Sequence, residues 1–308
     1  METYTKIDTI YKRYQFSGKD CSNQKWLKFR NKIILGAFSN IEAKYLFDCM
    51  WEAYSKIDGT NSKIAFFPST GEIKIGGKSD NAQSISGQFE TLNKIASKIQ
   101  PALVRMFPKE TARFTPVKSK ETNKIEYYKV FCDSIEEGKP VEVLYERPYE
   151  PKEGFCGVDI EEVPIYIYGE YFGKGVQKVG GRYVKDGNDF LVFDIRQQGW
   201  WLPRDKRNAL CFELGLKSVP YLGYMTLRQI EEMVMNGFTT KYDNAADPTL
   251  IEEGIVARPV IPLCDGRGNR IIVKVKYCDY IEYKRVRDEF TDEEFKEFTE
   301  WYKTIENV

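Results

Sequence analysis

The chain has 308 residues, 42% apolar and 14% aromatic, which is enough to bury a substantial core and excludes a disordered polymer. Its 46 basic residues balance 46 acidic ones, so any nucleic-acid contact must be local; with no histidine, His-based acid–base and triad chemistry is excluded and Lys, Asp and Glu remain as candidate catalytic groups. Seven scattered cysteines without a Cys-x-x-Cys pair argue against structural zinc and for reduced thiols, no apolar run can span a bilayer, and the start is not a signal peptide, so the cytoplasm is the expected compartment.

Residues 1–50 mix Tyr, Lys and Trp with short apolar runs, and 41–50 fits strand or helix equally. Lys63–Phe67 and Glu72–Ile75 are β-rich runs joined by Pro68-Ser-Thr-Gly71, which predicts a hairpin. A glycine-led polar loop, Gly76–Asn81, follows. From Phe89 the apolar positions Leu92, Ile95, Ala96 and Ile99 have helical spacing, and Pro101 is expected to end that helix. Residues 98–129 hold eight basic against three acidic side chains, a solvated surface or a strip for phosphate backbones. Residues 134–163 read as an excursion carrying one strand, Val141–Tyr145.

Further strands are expected at Pro164–Tyr168, Asp189–Ile195, Gly254–Ala257 and Ile271–Val275. One helix should run from near Asp205 to Gly215, and a second should open on the capping box Thr226-x-x-Gln229 and stop at Gly237. In the tail, Thr291 and Glu294 form another capping box, Phe290 and Phe295 a hydrophobic staple, and Phe298, Trp301 and Ile305 one apolar face. Mixed strands with scattered helices read as α+β.

The stretch with the most chemical content is Lys56-Ile-Asp58-Gly59-Thr60-Asn61. A lysine amine is nucleophilic only when neutral, a form that desolvation or neighbouring cations favour. Downstream, Glu170, Phe193 and Glu253 lie in or beside expected strands, and Lys274 and Lys276 alternate onto one strand face. Each has an ordinary reading alone: a solvated carboxylate, a core aromatic, a solvated lysine. Their joint order is the informative feature.

That order, Lys56-Ile-Asp-Gly, Tyr-Gly-Glu170-Tyr-Phe-Gly, Phe193-Asp-Ile, Glu253-Gly-Ile-Val and Lys274-Val-Lys276, resembles five motifs of the covalent nucleotidyltransferases, which comprise ATP-dependent DNA and RNA ligases and mRNA capping enzymes. Gly76-Gly-Lys78-Ser-Asp-Asn-Ala-Gln83, Gly199-Trp-Trp201 and Glu253-Gly-Ile-Val-Ala-Arg-Pro259 bring it nearer to phage-type RNA ligases. The resemblance covers about residues 40–285. It implies an ATP-grasp-like nucleotidyltransferase domain built on antiparallel sheets over 1–285, with 286–308 as a C-terminal helix packed on it. Only 32 residues follow Lys276, so no OB-fold domain is expected.

By the same resemblance, Lys56 would carry AMP covalently, with Asp58 shaping its loop. Glu170 would bind ribose, Phe193 would stack on adenine, and Lys274 and Lys276 would contact the α-phosphate. Glu253 would engage the metal, with Asn61 helping at the metal or the 3′-OH, and Lys78 would meet a phosphate. ATP and Mg²⁺ (or Mn²⁺) are the implied cofactors, and RNA with 5′-phosphate and 3′-OH ends the implied partner. Two departures stand out: Ser55 precedes the nucleophile where many relatives have Glu, and Lys78 takes a place usually held by Arg, losing a bidentate fork for phosphate. An ATP-dependent RNA ligase is the leading expectation. The alternatives are a DNA ligase, a GTP-dependent capping enzyme and an inactive RNA-end-binding relative.

Overall fold

The computed structural model describes residues 3–306 apart from 20, 22, 69, 78–86, 108–110, 120–124, 137–138, 148–163 and 198–199. The first elements are β1 (Asp8–Thr9), β2 (Tyr11–Arg13), a 3-10 turn (Gln24–Phe29), β3 (Ile33–Phe38), α1 (Ile41–Tyr45) and β4 (Met50–Ser55). Next come β5 (Thr60–Phe67), β6 (Glu72–Gly77), α2 (Gln88–Met106), β7 (Thr111–Lys118), β8 (Ile125–Glu136), β9 (Lys139–Arg147) and β10 (Ile165–Gly173). Then follow α3 (Gly180–Tyr183), β11 (Asn188–Gln197), β12 (Trp200–Trp201), α4 (Arg204–Leu214), β13 (Lys217–Ser218), β14 (Tyr221–Thr226) and α5 (Leu227–Asn236). The chain continues through β15 (Gly254–Pro259), β16 (Val273–Lys276), α6 (Tyr277–Arg287) and α7 (Asp292–Glu306).

These elements form two units. One comprises Met1–Tyr4, Thr60–Tyr171 and Asn188–Ser218; the other comprises Thr5–Gly59, Phe172–Gly187 and Val219–Val308. In the first unit the sheet order is β12-β11-β10-β5-β6, with β13 alongside β11, and β7-β8-β9 make a separate antiparallel sheet. The β5–β6 pairing is the hairpin expected from the Pro68–Gly71 turn. Helix α2 buries Leu92, Ala96, Ile99 and Leu103, a stripe of helical period.

Pro101 does not end α2. It sits inside the helix, which continues to Met106. A proline there removes one backbone hydrogen bond, but the buried stripe passes through it from Ile99 to Leu103, so packing outweighs the local loss. Strands β7 and most of β8 were not expected, and β9 extends the predicted Val141–Tyr145 run at both ends. The rest of the expected 134–163 excursion, from 148 onward, lies outside the described residues.

In the second unit the sheet order is β1-β16-β15-β4-β14. Its pairs are antiparallel except β1–β16, as β11–β13 is the parallel exception in the other sheet. Residues 41–50 resolve into α1, a turn and the start of β4. Helix α5 carries the expected capping box, with both reciprocal hydrogen bonds made, and packs Leu227, Ile230 and Val234 against Trp51, Ala53, Ile255, Ala257, Val273 and Val275. A second core joins Tyr14 and Phe29 to Val286, Phe290, Phe298 and Tyr302, so the C-terminal helix is docked by aromatic rings, Phe29 stacking on Phe298 at 4.3 Å.

Phe290 and Phe295 both pack on Phe29, at 4.8 and 5.3 Å, so the staple is closed through a third ring. The Thr291 amide donates to Glu294 Oε2 (2.8 Å) and the Glu294 amide donates to Thr291 Oγ1 (3.2 Å), completing the cap. Thr291→Ala is expected to lower unfolding stability by about 1 kcal/mol in a denaturant titration, the usual cost of losing such a cap.

The expected tail helix is α7, and a helix not expected from the sequence runs before it. Helix α6 precedes α7 and is anchored by Arg13, whose Nη2 is 2.6 Å from Asp279 Oδ2. The molecule is thus a mixed α and β protein with largely antiparallel sheets and a C-terminal helix. Among the described residues no helix is long and apolar enough to cross a membrane. Cys21, Cys49, Cys211, Cys264 and Cys278 are free thiols.

Candidate active site

Period-two alternation gives the second unit's sheet two chemically different faces. Trp51 and Ala53 on β4, Ile255 and Ala257 on β15, and Val273 and Val275 on β16 point into the α5 core. Their neighbours Glu52 and Tyr54, Val256 and Arg258, and Lys274 and Lys276 therefore share the opposite face. The register sets these residues in rows: Lys276 opposite Gly254, Lys274 opposite Val256 with Tyr54 beyond it, and Arg258 opposite Glu52. Lys56 continues β4, its amide donating to Gly254 O (2.9 Å). Gly254 thus lies between Lys56 and Lys276. Lys274 is one step deeper along the strand, about 6.6 Å away for two residues.

Glu253 binds both ends of this row. Its Oε2 accepts from Lys56 Nζ at 2.5 Å and its Oε1 from Lys276 Nζ at 2.8 Å, with Lys56 22% and Glu253 15% exposed at their side chains. One carboxylate oxygen per ammonium is a charge-assisted geometry in a partly desolvated place, stronger than a surface pair. Burial works to lower Lys276, but the Glu253 charge and hydrogen bond outweigh it, and the net direction is upward. Burial pushes the Asp58 carboxyl up, Glu253 adds to that, and Lys56 and Lys276 oppose it without reversing it. The lysines therefore form a compact Lys–Glu–Lys bridge.

Gly254 permits the bridge because any side chain there would collide: a Cβ would lie 2.0 Å from Val275 O. Gly254→Ala is expected to force β15 off β16, costing about 3 kcal/mol or more. The measurement is a thermal melt, which should show a large fall or no cooperative transition.

Several residues of this face were not expected from sequence. Arg258 Nε donates to Glu52 Oε2 (3.0 Å), Tyr54 OH donates to the same oxygen (2.6 Å), and Arg258 Nη2 bonds Tyr54 OH (2.9 Å). This closed network secures the β4–β15 pair that carries the lysine, with both charges satisfied as burial requires. Glu252, ahead of β15, was also not expected: it is 1% exposed, burial raises its carboxyl, and Tyr183 OH donates to its Oε1 at 2.9 Å. A Glu-Glu pair in a sequence does not announce that one member is internal.

The remaining expected residues fall in the first unit, on three neighbouring strands. Asn61 on β5 and Glu170 on β10 are direct partners in the antiparallel pair, so their side chains emerge on the same face. Glu170 lies within its strand, not past its end, because β10 runs on to Gly173. Asn61 Oδ1 is a buried acceptor with no hydrogen-bond partner among the described residues. Phe193 on β11 is half-buried, with the Tyr4 ring at 5.1 Å edge-on. Lys78, with the rest of the polar loop to Gln83, lies outside the described residues. Among the described residues no three His, Cys, Asp or Glu side chains are grouped to hold a metal by themselves.

A model of the RNA ligase family matches residues 50–276, well over half of the sequence and all the strands just described that bear the lysines and Glu253. The chain belongs to the RNA ligase family. Comparison with curated proteins returns no match. Among solved structures, a mutant RNA ligase of Naegleria gruberi with ATP and Mn is 15% identical, covering 80% of this chain and 55% of that chain, with a TM-score of 0.45. The Naegleria gruberi RNA ligase with PPi (15% identity, 80% and 54% coverage, TM-score 0.44) is similar to the same degree. So is a mutant of it with AMP and Mn (15%, 80% and 55%, TM-score 0.46). The chain spans about 55% of the length of these relatives.

Proposed function

We propose that the protein is an ATP-dependent RNA ligase that joins 5′-phosphate and 3′-OH ends through a lysyl–AMP intermediate. The observation that carries this reading is the bridge at Glu253, which holds Lys56 and Lys276 together beside Gly254 in a chain of this family. Lys56 Nζ attacks the α-phosphorus of ATP, an N–P bond forms, the bond to the β-phosphate oxygen breaks, and pyrophosphate leaves. The proton on Nζ has its nearest acceptor in Glu253 Oε2, 2.5 Å away. Lys276 and the deeper Lys274 supply positive charge for the α-phosphate oxygens as charge builds there. A 5′-phosphate oxygen then takes AMP from Lys56, and the 3′-OH displaces AMP to seal the strand.

Glu170 is assigned to ribose, Phe193 to adenine, and Lys78 to a phosphate. Asp58 is assigned to holding the nucleophile loop. A resident all-protein metal cage does not fit these residues, but a hard cation arriving with the triphosphate does, since such ions keep waters and take one or two protein oxygens. Glu253 is the oxygen donor assigned to such an ion, and Asn61, whose Oδ1 is buried with no hydrogen-bond partner among the described residues, is assigned to the metal or the 3′-OH. Mg²⁺ or Mn²⁺ held by Glu253 would offset phosphate charge. Residues 1–285 are assigned to an ATP-grasp-like nucleotidyltransferase domain, with 286–308 packed on it as the terminal segment. A phage-type RNA repair role in the cytoplasm completes the reading.

The test is a sealing assay with 5′-phosphorylated RNA and Mg²⁺, in parallel with ATP and GTP and with matching DNA ends. ATP-dependent joining of RNA is the expected result. GTP dependence, DNA joining alone, or end binding without joining would each replace the proposal by the corresponding relative.

A further inference from the structure

Helix α3, four residues long, is too short to be stable alone. It is held from several sides within its unit. A Cβ on Gly180 would lie 1.9 Å from Gly173 O, so the helix start is pressed directly on the end of β10. The Ala246 and Asp247 amides donate to Tyr183 O and Arg182 O, each at 2.9 Å, and Arg182 Nε donates to Asp247 Oδ2 at 2.8 Å. The Tyr183 ring is fully buried against Phe172 (5.6 Å) and Tyr242 (6.5 Å).

So much anchoring fixes one hydroxyl. Tyr183 OH donates to Glu252 Oε1 (2.9 Å), and burial, with Glu252 beside it, pushes its pKa up while the Asp58 backbone opposes that push. The same segment reaches the loop once more, Gln177 Nε2 donating to Gly59 O (3.2 Å). Glu252 in turn accepts from the Lys241 amide (3.4 Å), Thr240 and Tyr183 work against the upward push of burial on its carboxyl, and its own amide donates to Phe238 O (2.9 Å). An internal carboxylate is costly unless its oxygens are satisfied. Here they are satisfied by groups that tie the Lys56–Gly59 loop to the residue just before Glu253.

We propose that Tyr183 and Glu252 are a positioning couple that sets the Lys56 loop and the Glu253 carboxylate in register for nucleotidyl transfer. This rests on the reading of Lys56 as nucleophile. Neither residue touches the reacting atoms. Hydrogen bonds join three segments, 56–59, 177–183 and 252–253, that the sequence keeps far apart. A misplacement on the order of 1 Å at a reacting group costs about 100-fold in rate.

The experiment measures single-turnover adenylylation with α-labelled ATP and Mg²⁺, below the melting transition of each variant. Tyr183→Phe keeps the ring and removes the hydroxyl; it is expected to slow the step about 10- to 100-fold, with the ATP concentration for half-maximal rate unchanged. Glu252→Gln keeps an acceptor oxygen for Tyr183 while losing the one for the Lys241 amide, and is expected to retain clearly more of the rate than Glu252→Leu. Glu252→Leu, which removes the acceptor, should match Tyr183→Phe, and the double variant should lose no more than either. Parent-like rates in both Tyr183→Phe and Glu252→Leu would overturn the couple, as would losses that appear only as weaker ATP dependence. If Tyr183→Phe does not fold, a Glu252→Leu rate equal to that of Glu252→Gln overturns it. A parent protein that takes up no AMP would overturn the ligase reading together with the couple, whereas a labelling parent with unaffected variants rejects the couple alone.

Discussion

Lys56→Ala is expected to abolish covalent labelling by α-labelled ATP, a loss of at least about 10⁴-fold, because no neighbouring group can replace the attacking nitrogen. Lys276, the nearest other amine, does not take its place. It is held by the other oxygen of Glu253 and lies across Gly254 from the Lys56 position. The fold should survive. Lys56 is at the partly open edge of its cluster, and Glu253 keeps Lys276 at 2.8 Å when Lys56 is gone, so no buried charge is stranded. A folded, cooperatively melting and unlabelled variant is therefore the expected result. Residual labelling at more than a few per cent of the parent would move the nucleophile elsewhere.

Glu253→Ala should have the next largest effect, a fall of about 10²- to 10⁴-fold in adenylylation rate. It removes the acceptor nearest to Lys56 Nζ and the carboxylate that bonds both ammonium groups, leaving Asp58 as the anion that still acts on the two lysines. Unit charges about 5 Å apart at an effective dielectric of 20 repel by roughly 3 kcal/mol, enough to turn the lysines away from one another. Glu253→Gln should be no better. Its amide keeps one acceptor oxygen but turns NH₂ hydrogens toward one of the lysines, which can only donate. Single-turnover labelling of both variants beside the parent checks this, and a Glu253→Gln rate within a factor of three of the parent would contradict it.

Much of this arrangement is legible in the sequence because short, strict patterns carry it. Lys274 and Lys276 alternate with buried Val273 and Val275 on a four-residue strand, which places both lysines on one face. The glycine after Glu253 belongs to a motif visible in the sequence, and the structure supplies its reason, since a side chain there would meet Val275 O. The capping boxes at Thr226 and Thr291 fixed two helix starts through local hydrogen bonds alone.

What escaped depends on partners distant in sequence. Tyr183 and Glu252 are 69 residues apart, and nothing local says that the first of two glutamates turns inward. Helix α6 is charged along most of its length and is held by Arg13 through Asp279, across 266 residues. Strand β7 contains Pro116, which argues against a strand in isolation, yet it pairs along its length with β8. Pro101 misled in the opposite sense, since a buried stripe can carry a helix past a proline.

The central claim is that the residue held by Glu253 and placed beside Gly254 carries the nucleotide. Incubation with Mg²⁺ and ATP, removal of unbound nucleotide, proteolysis under conditions that preserve a phosphoramidate, and mass spectrometry of the peptides would locate the adduct. A single AMP on the peptide containing Lys56, absent from Lys56→Ala, is the predicted result. AMP on Lys276, on any other residue, or on no residue of the folded parent would contradict it.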